Sequence, residues 1–360
     1  MTVLDGAKLR ADGITSVADA LRSEAGIHIV RNGSFGAVTS VFMRGGESDY
    51  VLVLLDDMQI NQPGGAFDFS ELDLAQVERI EIVHGPASAL HGAEAVAGVI
   101  HVITKTGSGP TTGSLSTRMG SYRRRDFSAT IGAGSERAAY SISASRMATD
   151  GIFSMNNQHV NTVVSGTARL IPDDRTRADL SLRLSDRRYH FPTDGTGKVV
   201  DTNSFTYTDG STASLRVERS VSEVLAIEAL IGITSTSGGL DDAPDDMADT
   251  LGFFGFTSLD HFRRSSANLR AHLRIDDIVV TGGWEVEHER QRSFTESSSQ
   301  FGTSSDQSEN DRLNRAYYAH ATSRHQRFVF NGGARLERNE NFGTFATWQL
   351  GATWKPFSGD

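Results

Sequence analysis

The chain has 360 residues, a formal net charge of −10, 36 glycines, 7 prolines and no cysteine. The missing cysteine excludes disulfides and thiolate chemistry, and an acidic balance without a long basic block argues against a nucleic-acid partner. The length exceeds one ordinary compact domain. Abundant glycine and small polar residues point to a β-rich chain with many turns.

The opening "MTVLDGAKLRADG" lacks the basic and apolar regions of a signal peptide, so the protein either stays in the cytoplasm or its sequence begins late. "TSVADALRSEAG" has capping candidates Thr15 and Ser16, Asp19 in the first turn and Gly26 at the end, which predicts a short helix. "IHIV", "SVFMRG", "YVLVLLDD", "VERIEIV" and "AGVIHVITK" are short strands punctuated by Gly, Asn, Asp and Pro. Residues 1–107 therefore form a small α/β domain.

From about Gly113 the pattern changes to long alternating strands. Ala178, Leu180, Leu182 and Leu184 share one face of "RADLSLRLSDR", and Asp179, Ser181, Arg183 and Ser185 the other. "ANLRAHLRI" and "FATWQLGATW" alternate in the same way. About twelve such strands follow one another in residues 113–360. Their connections alternate between tight turns ("GSE", "PDDR", "VSE", "DD", "RHQ") and a mostly longer class: "ATDGIFSMNN", Tyr189–Ser204, Gly238–Thr250 and Phe294–Asp311. "YRRR" and "NENFG" are the short members of that second class. A soluble β-sandwich does not sort its loops by end; an outer-membrane barrel does. No apolar run approaches the roughly 18 residues of a membrane-spanning helix, but barrel strands need none.

The glycine-dense stretch Glu78–Gly107 carries His84, His91 and His101. Its spacing does not fit a phosphate loop, because Gly92 and Gly98 are five residues apart and no lysine follows. Gly85-Pro86 makes a sharp turn, and Gly92 and Gly98 permit close backbone approach.

Three segments together, "SVADALRSEAGIHI", "SVFMRGGESDYVLVLLDDMQIN" and "VERIEIVHGPASALHGAEAVAGVIHVITK", resemble the plug domain of TonB-dependent outer-membrane receptors. The barrel half resembles the same family, nearest its cobalamin-receptor-like branch. The resemblance implies an α/β plug followed by an antiparallel transmembrane β-barrel, here about 12 strands of an expected 22. It implies location in the outer membrane of a Gram-negative bacterium and uptake of a scarce nutrient such as an iron–siderophore or cobalamin. The partners implied are the TonB–ExbB–ExbD energising complex, outer-membrane lipid and the small-molecule ligand. The family's TonB box and the first plug strand are expected before residue 1, and "TWKPFSGD" ends at a turn. The chain then reads as a fragment, with two sheet edges that would not form a conducting barrel alone.

For the sites, the resemblance implies that Arg44 pairs with acidic barrel residues as a plug–barrel gate. Glu285, Glu287 and Glu289 fall on the face opposite Trp284 and Val286 and are the candidate partners; the plain alternative is solvated lumen charge. His84 stands where the family has a second arginine, so that part of the gate is missing or pH-sensitive. His84, His91 and His101 read as scaffold histidines rather than as metal ligands. Ligand contacts are expected at Ser48, Asp49 and Tyr50, at Asn61, Gln62, Pro63 and Phe67, and in outside loops at Tyr189, His190 and Phe191, with an acidic run Asp241–Asp249. All of these equally suit plain exposed loops. The branch's calcium site would need six to eight oxygens, and Asp150, Asp194 and Asp201 look too few, so no metal or cofactor is assigned. No nucleophile, base and orienting acid share a recognisable spacing, which argues against an enzyme. The serious rivals are a passive porin and a surface adhesin, neither of which needs a folded domain in its lumen.

Overall fold

The computed structural model describes residues 1–194, 196–247 and 249–354. The turn expected in "TWKPFSGD" lies outside the described residues beyond Trp354, and Gly195 and Ala248 are likewise not described.

The N-terminal part comprises β1 (Thr2–Asp5), α1 (Gly6–Ala11), α2 (Val17–Leu21), β2 (Ile27–Arg31), β3 (Thr39–Met43), β4 (Val51–Leu55), β5 (Met58–Gln59), β6 (Val77–His84), α3 (Ser88–His91) and β7 (Gly98–Thr104). Five strands form one sheet in the order β1-β6-β7-β4-β5, with β4 and β7 parallel and the remaining pairs antiparallel; β2 and β3 form a separate hairpin. The expected helix is present but short. Ser16 caps α2 by accepting from the Asp19 amide at 3.1 Å, and Val17, Ala18, Ala20 and Leu21 face inward. A strand not anticipated from the sequence, β1, pairs Thr2–Asp5 with Arg79–Ile82. Four residues are too few for a visible period. One apolar core joins α2 to the sheets through Val17, Leu21, Met43, Phe69, Ile80 and Ile100; it supplies the rigidity that holds the loops above it.

The second part is a single antiparallel sheet of twelve strands in sequence order. These are β8 (Thr112–Met119), β9 (Arg125–Gly134), β10 (Ala138–Thr149), β11 (His159–Asp173), β12 (Thr176–His190), β13 (Phe205–Ser220), β14 (Leu225–Asp242), β15 (Phe253–Ile275), β16 (Ile278–Ser299), β17 (Gly302–His325), β18 (Phe328–Asn339) and β19 (Gly343–Trp354). Among the described residues, β8 and β19 pair on one side only. Alternation does what the sequence requires. Leu180, Leu182 and Leu184 lie exposed on the convex face, while Arg183 and Arg187 of the same strand turn inward to the plug. No described helix is long and apolar enough to cross a membrane, which says nothing of the strands.

One connection differs from expectation. Phe294–Asp311 is not a loop but a tall hairpin, with β16 and β17 paired as far as Ser299 opposite Gly302. Its Ser, Thr, Gln and Glu side chains show no hydrophobic period, so the backbone ladder that forms the hairpin leaves no pattern in the sequence. At the other end the turns are as tight as expected: only Asp276 and Asp277 separate β15 from β16.

Candidate plug–barrel seam and cargo face

The two apex segments of the plug meet. Ser48–Tyr50 forms a 3₁₀ turn before β4, and Gly65 of the Asn61–Phe67 segment lies so close that a Cβ there would sit 2.4 Å from the Asp49 carbonyl oxygen. Tyr50 and Gln62 are exposed, and Ser48, Asp49 and Pro63 half-buried. Asn61 is different. Its side chain is fully buried, accepts from the Val53 amide at 2.7 Å and donates to the carbonyls of Val51 (2.9 Å) and Gly65 (2.5 Å). Phe67 belongs to the plug core, edge-on to Phe69 at 5.0 Å. Both were expected to be open to a ligand. Each is instead committed to the local structure, because a tight turn must satisfy its own buried amides.

Tyr189 is also buried. Its hydroxyl lies 3.4 Å from Ser34 Oγ in the plug hairpin turn, and its ring stacks on half-buried Phe191 at 6.1 Å. In the outside loops, Asp201 accepts from the Asn203 and Ser204 amides, the Ser204 hydroxyl and Asn156 Nδ2. Its lone pairs are used in a loop knot. His190 likewise contacts Asn156, at 3.0 Å. No group of three or more His, Asp or Glu is disposed to hold a metal among the described residues.

The expected pairing of Arg44 with the barrel glutamates is not found among the described residues. Arg44 is exposed at positive φ and makes no ion pair with Glu285, Glu287 or Glu289; its guanidinium lies near Gly85. The three glutamates do face inward, but barrel arginines hold them. Arg264, fully buried, donates to Glu289 at 2.7 Å and lies 3.3 Å from Glu287, while Arg335 pairs with Glu285 at 2.9 Å. Arg312 also contacts Glu289. Arg264 then reaches across the seam, donating to the Asn61 carbonyl at 2.8 Å. Sequence pattern places Arg264 inward but cannot show which carbonyl it meets. Among the described residues, the side chain of His84, at the end of β6, has Thr2 Oγ1 at 3.5 Å as its hydrogen-bonding neighbour and pairs with no barrel carboxylate.

A second clasp lies on the opposite strands. Arg187 donates to the Gly36 carbonyl at 2.8 Å and forms ion pairs with Asp68 (3.0 Å) and Glu71 (3.7 Å), while Arg183 donates to the Glu71 carbonyl at 2.8 Å. The Asp68 contact is close but poorly directed for a hydrogen bond. Burial raises the Glu71 carboxyl to about 7; Arg187 opposes the rise, Asp68 adds to it and Arg183 opposes it. A third contact joins Arg216 of β13 to Asp57 in the β4–β5 turn.

Two cavities occupy the seam. One of about 260 Å³ lies between the plug and β8–β11, and three buried atoms without a hydrogen-bond partner border it: Ser70 Oγ, His159 Nε2 and Asn161 Oδ1. His159 Nδ1 sits 3.1 Å from the Arg188 carbonyl, so it carries the proton and Nε2 is left as an acceptor. The other, about 530 Å³, lies between the β4–β5 turn and β11–β13 and is polar, lined by Asp57, Glu81, His101 and Arg216 among others.

The three histidines of Glu78–Gly107 do not converge on a metal. Burial lowers His91 to about 4, helped by nearby Arg270, His101 and Arg335; burial also lowers His101, whose Nε2 accepts from the Asp57 amide at 3.1 Å. The glycines are architectural. A Cβ on Gly98 would sit 2.2 Å from Met43 Sδ and 2.4 Å from the Val83 carbonyl oxygen.

Residues 1–99 match the family described as TonB-dependent Receptor Plug Domain. Among solved structures, the chain is similar to the copper transporter OprC at 18% identity and TM-score 0.78, covering 97% of this chain and 58% of that one. It is similar to the ferric yersiniabactin uptake receptor FyuA from Yersinia pestis at 14% identity and TM-score 0.79, covering 99% and 62%. It is also similar to the ferric citrate transporter FecA at 12% identity and TM-score 0.75, covering 99% and 60%. The chain thus spans about three-fifths of the length of these structures. The fold is that of a plug domain followed by the barrel strands of TonB-dependent receptors.

Proposed function

We propose that the protein acts as an outer-membrane, TonB-energised uptake receptor for a scarce nutrient. The observation that carries this reading is a folded plug held inside a curved antiparallel sheet by polar contacts such as Arg264 to Asn61 and Arg187 to Asp68. Such contacts can be exchanged for water one at a time. A passive pore has no use for a domain in its lumen, and an adhesin has no use for a releasable one. Residues 1–107 are taken as the plug and 113–360 as barrel.

Ser48, Asp49, Tyr50, Gln62, Pro63 and Phe191 are the proposed cargo contacts, combining polar groups with two aromatic surfaces as an enclosed site requires. The matched proteins carry copper, ferric yersiniabactin and ferric citrate by name. These cargoes differ so much that the shared fold does not choose among them. Cobalamin stays a candidate on the sequence resemblance.

The test is accumulation of labelled copper, ferric siderophores, ferric citrate and cobalamin in the native host, with and without this gene and with and without the TonB–ExbB–ExbD complex. Loss of uptake of one cargo in both deletions supports the reading. Uptake that survives loss of the energising complex indicates a passive pore, and binding without uptake indicates an adhesin.

A further inference from the structure

We propose that the lumen wall above the plug selects cargo by charge, accepting a neutral or cationic solute and rejecting an anionic chelate. This rests on the uptake-receptor reading above and names the charge class of its cargo.

Strand register shows which side chains form that wall. Arg264 points inward to the Asn61 carbonyl, so alternate residues above it on β15, towards the tall hairpins, share its face. They are Phe262, Asp260, Ser258 and Phe256. Their register partners on β16 and β17 are Ser, Thr, Gln and Asn side chains, with Asp306 the one charged residue among them. The corresponding positions of β13 and β14 are Thr, Gly and Leu as far as Asp242. Among the described residues, this face of β13–β17 carries no lysine or arginine above Arg264 and Arg312. The arginines of the same stretches, Arg263, Arg290 and Arg292, take the alternate positions on the convex face.

The inward arginines beneath and beside the wall are already neutralised. Arg264 is fully buried, lies 3.3 Å from Glu287 and donates to Glu289. The Phe262 ring covers it, with the ring centroid 5.1 Å from the guanidinium carbon. Arg312 contacts Glu289. Arg187 shares a register row with Asp260 three strands away, but it is buried against Asp68 and Glu71. The plug apex adds acid, since Glu47 and Asp49 stand at the turn before β4. Arg44 lies beside Gly26 and Gly85, at the end of β6, with β7 and β4 between it and β5.

An anion entering this cleft would exchange its hydration for hydroxyls and carboxylates, with no free cation to receive it. A cleft lined by one sign of charge concentrates solutes of the other sign. A neutral or cationic solute meets acceptors, hydroxyl groups and, at exposed Phe256, an aromatic face.

Because the chain has no cysteine, a single introduced one reports the local potential through its reaction with small charged thiosulfonates. Ser308→Cys faces the lumen, two residues from Asp306 and two strands from Asp260, about 7 and 10 Å away by strand geometry. Gln307→Cys is its neighbour on the convex face. The full chain, purified in detergent in about 0.1 M salt, is treated with a trimethylammonium-bearing and a sulfonate-bearing reagent. The ratio of the two rates at Ser308→Cys should exceed that of a free thiol about fivefold, while Gln307→Cys should match the free thiol. Asp260→Asn/Asp306→Asn should remove most of the excess, as should about 1 M salt. If circular dichroism shows that Ser308→Cys has lost its sheet, Ser304→Cys, equally two residues from Asp306, decides the question. A ratio no greater than that of the free thiol, or one unchanged by the asparagine variant, overturns the proposal. So does accumulation of an anionic chelate that depends on this gene in the native host. The thiol ratios are read without energy input, so uptake independent of the TonB–ExbB–ExbD complex overturns the receptor reading alone, and the two failures are distinguishable.

Discussion

Arg264 offers the sharpest test of how the plug is held. Replacing it by alanine leaves Glu287 and Glu289 side by side without their main cation and removes the donor to the Asn61 carbonyl. Removing one partner of a buried pair costs about 3–5 kcal/mol. Arg312 still contacts Glu289, which places the expected loss at the low end, about 3 kcal/mol. At about 1.4 kcal/mol per factor of ten, local opening of the Gln59–Asn61 segment should become about two orders of magnitude more frequent. Amide hydrogen exchange across β4, β5 and the following turn reads this directly. Arg44→Ala is the internal control, because Arg44 makes no ion pair among the described residues and its loss should leave exchange in this segment unchanged. Arg264→Ala combined with Glu287→Gln and Glu289→Gln should recover part of the protection, since the two carboxylates that Arg264 pairs with are then neutral. If Arg264→Ala leaves protection within about threefold of wild type, or Arg44→Ala lowers it as much, the Arg264 network does not hold the seam.

Docking of the plug should weaken as pH rises, through Glu71. Its folded value of about 7 exceeds the ordinary 4.5, so the folded state binds the proton more tightly; the contribution is fully present below about 4.5 and is lost as pH rises to about 7. The span corresponds to roughly 3 kcal/mol at most, and urea unfolding of the plug between pH 4 and 8 should show a slope that Glu71→Gln flattens. Gly98→Ala should destabilise the plug severely, because the new methyl meets the rigid Val83 carbonyl as well as Met43; thermal unfolding of the plug should fall by many degrees. Asn61→Ala should cost about 2–4 kcal/mol of plug stability through three lost hydrogen bonds, seen as faster limited proteolysis. Tyr50→Ala and Gln62→Ala, both exposed, should leave proteolysis unchanged and weaken cargo binding in equilibrium titrations.

The sequence alone determined the architecture, because architecture follows from period. Leu180, Leu182 and Leu184 alternating with Ser181, Arg183 and Ser185 require a sheet with one dry face, and the sorting of turns by length fixes which ends lie together. The boundary near Gly107–Thr112, the inward direction of Glu285, Glu287 and Glu289, and the packing role of Gly98 are legible for the same local reason. Elements without a period were not: β1 is four residues long, α1 stops at Ala11, and the hairpin around Gln300 consists of polar residues whose pairing is purely backbone.

Partners across the seam were decided only in three dimensions. Arg264 and Asn61 are 203 residues apart, and Arg187 and Asp68 are 119 apart. Nothing in their immediate neighbours distinguishes them from solvated charges. Long-range electrostatics depends on which side chain the fold carries to within about 4 Å, and that distance is set by the packing of two separately formed parts. For the same reason Arg44 and His84, prominent in the sequence, stand apart from the barrel carboxylates, while arginines hidden in ordinary strands hold the plug.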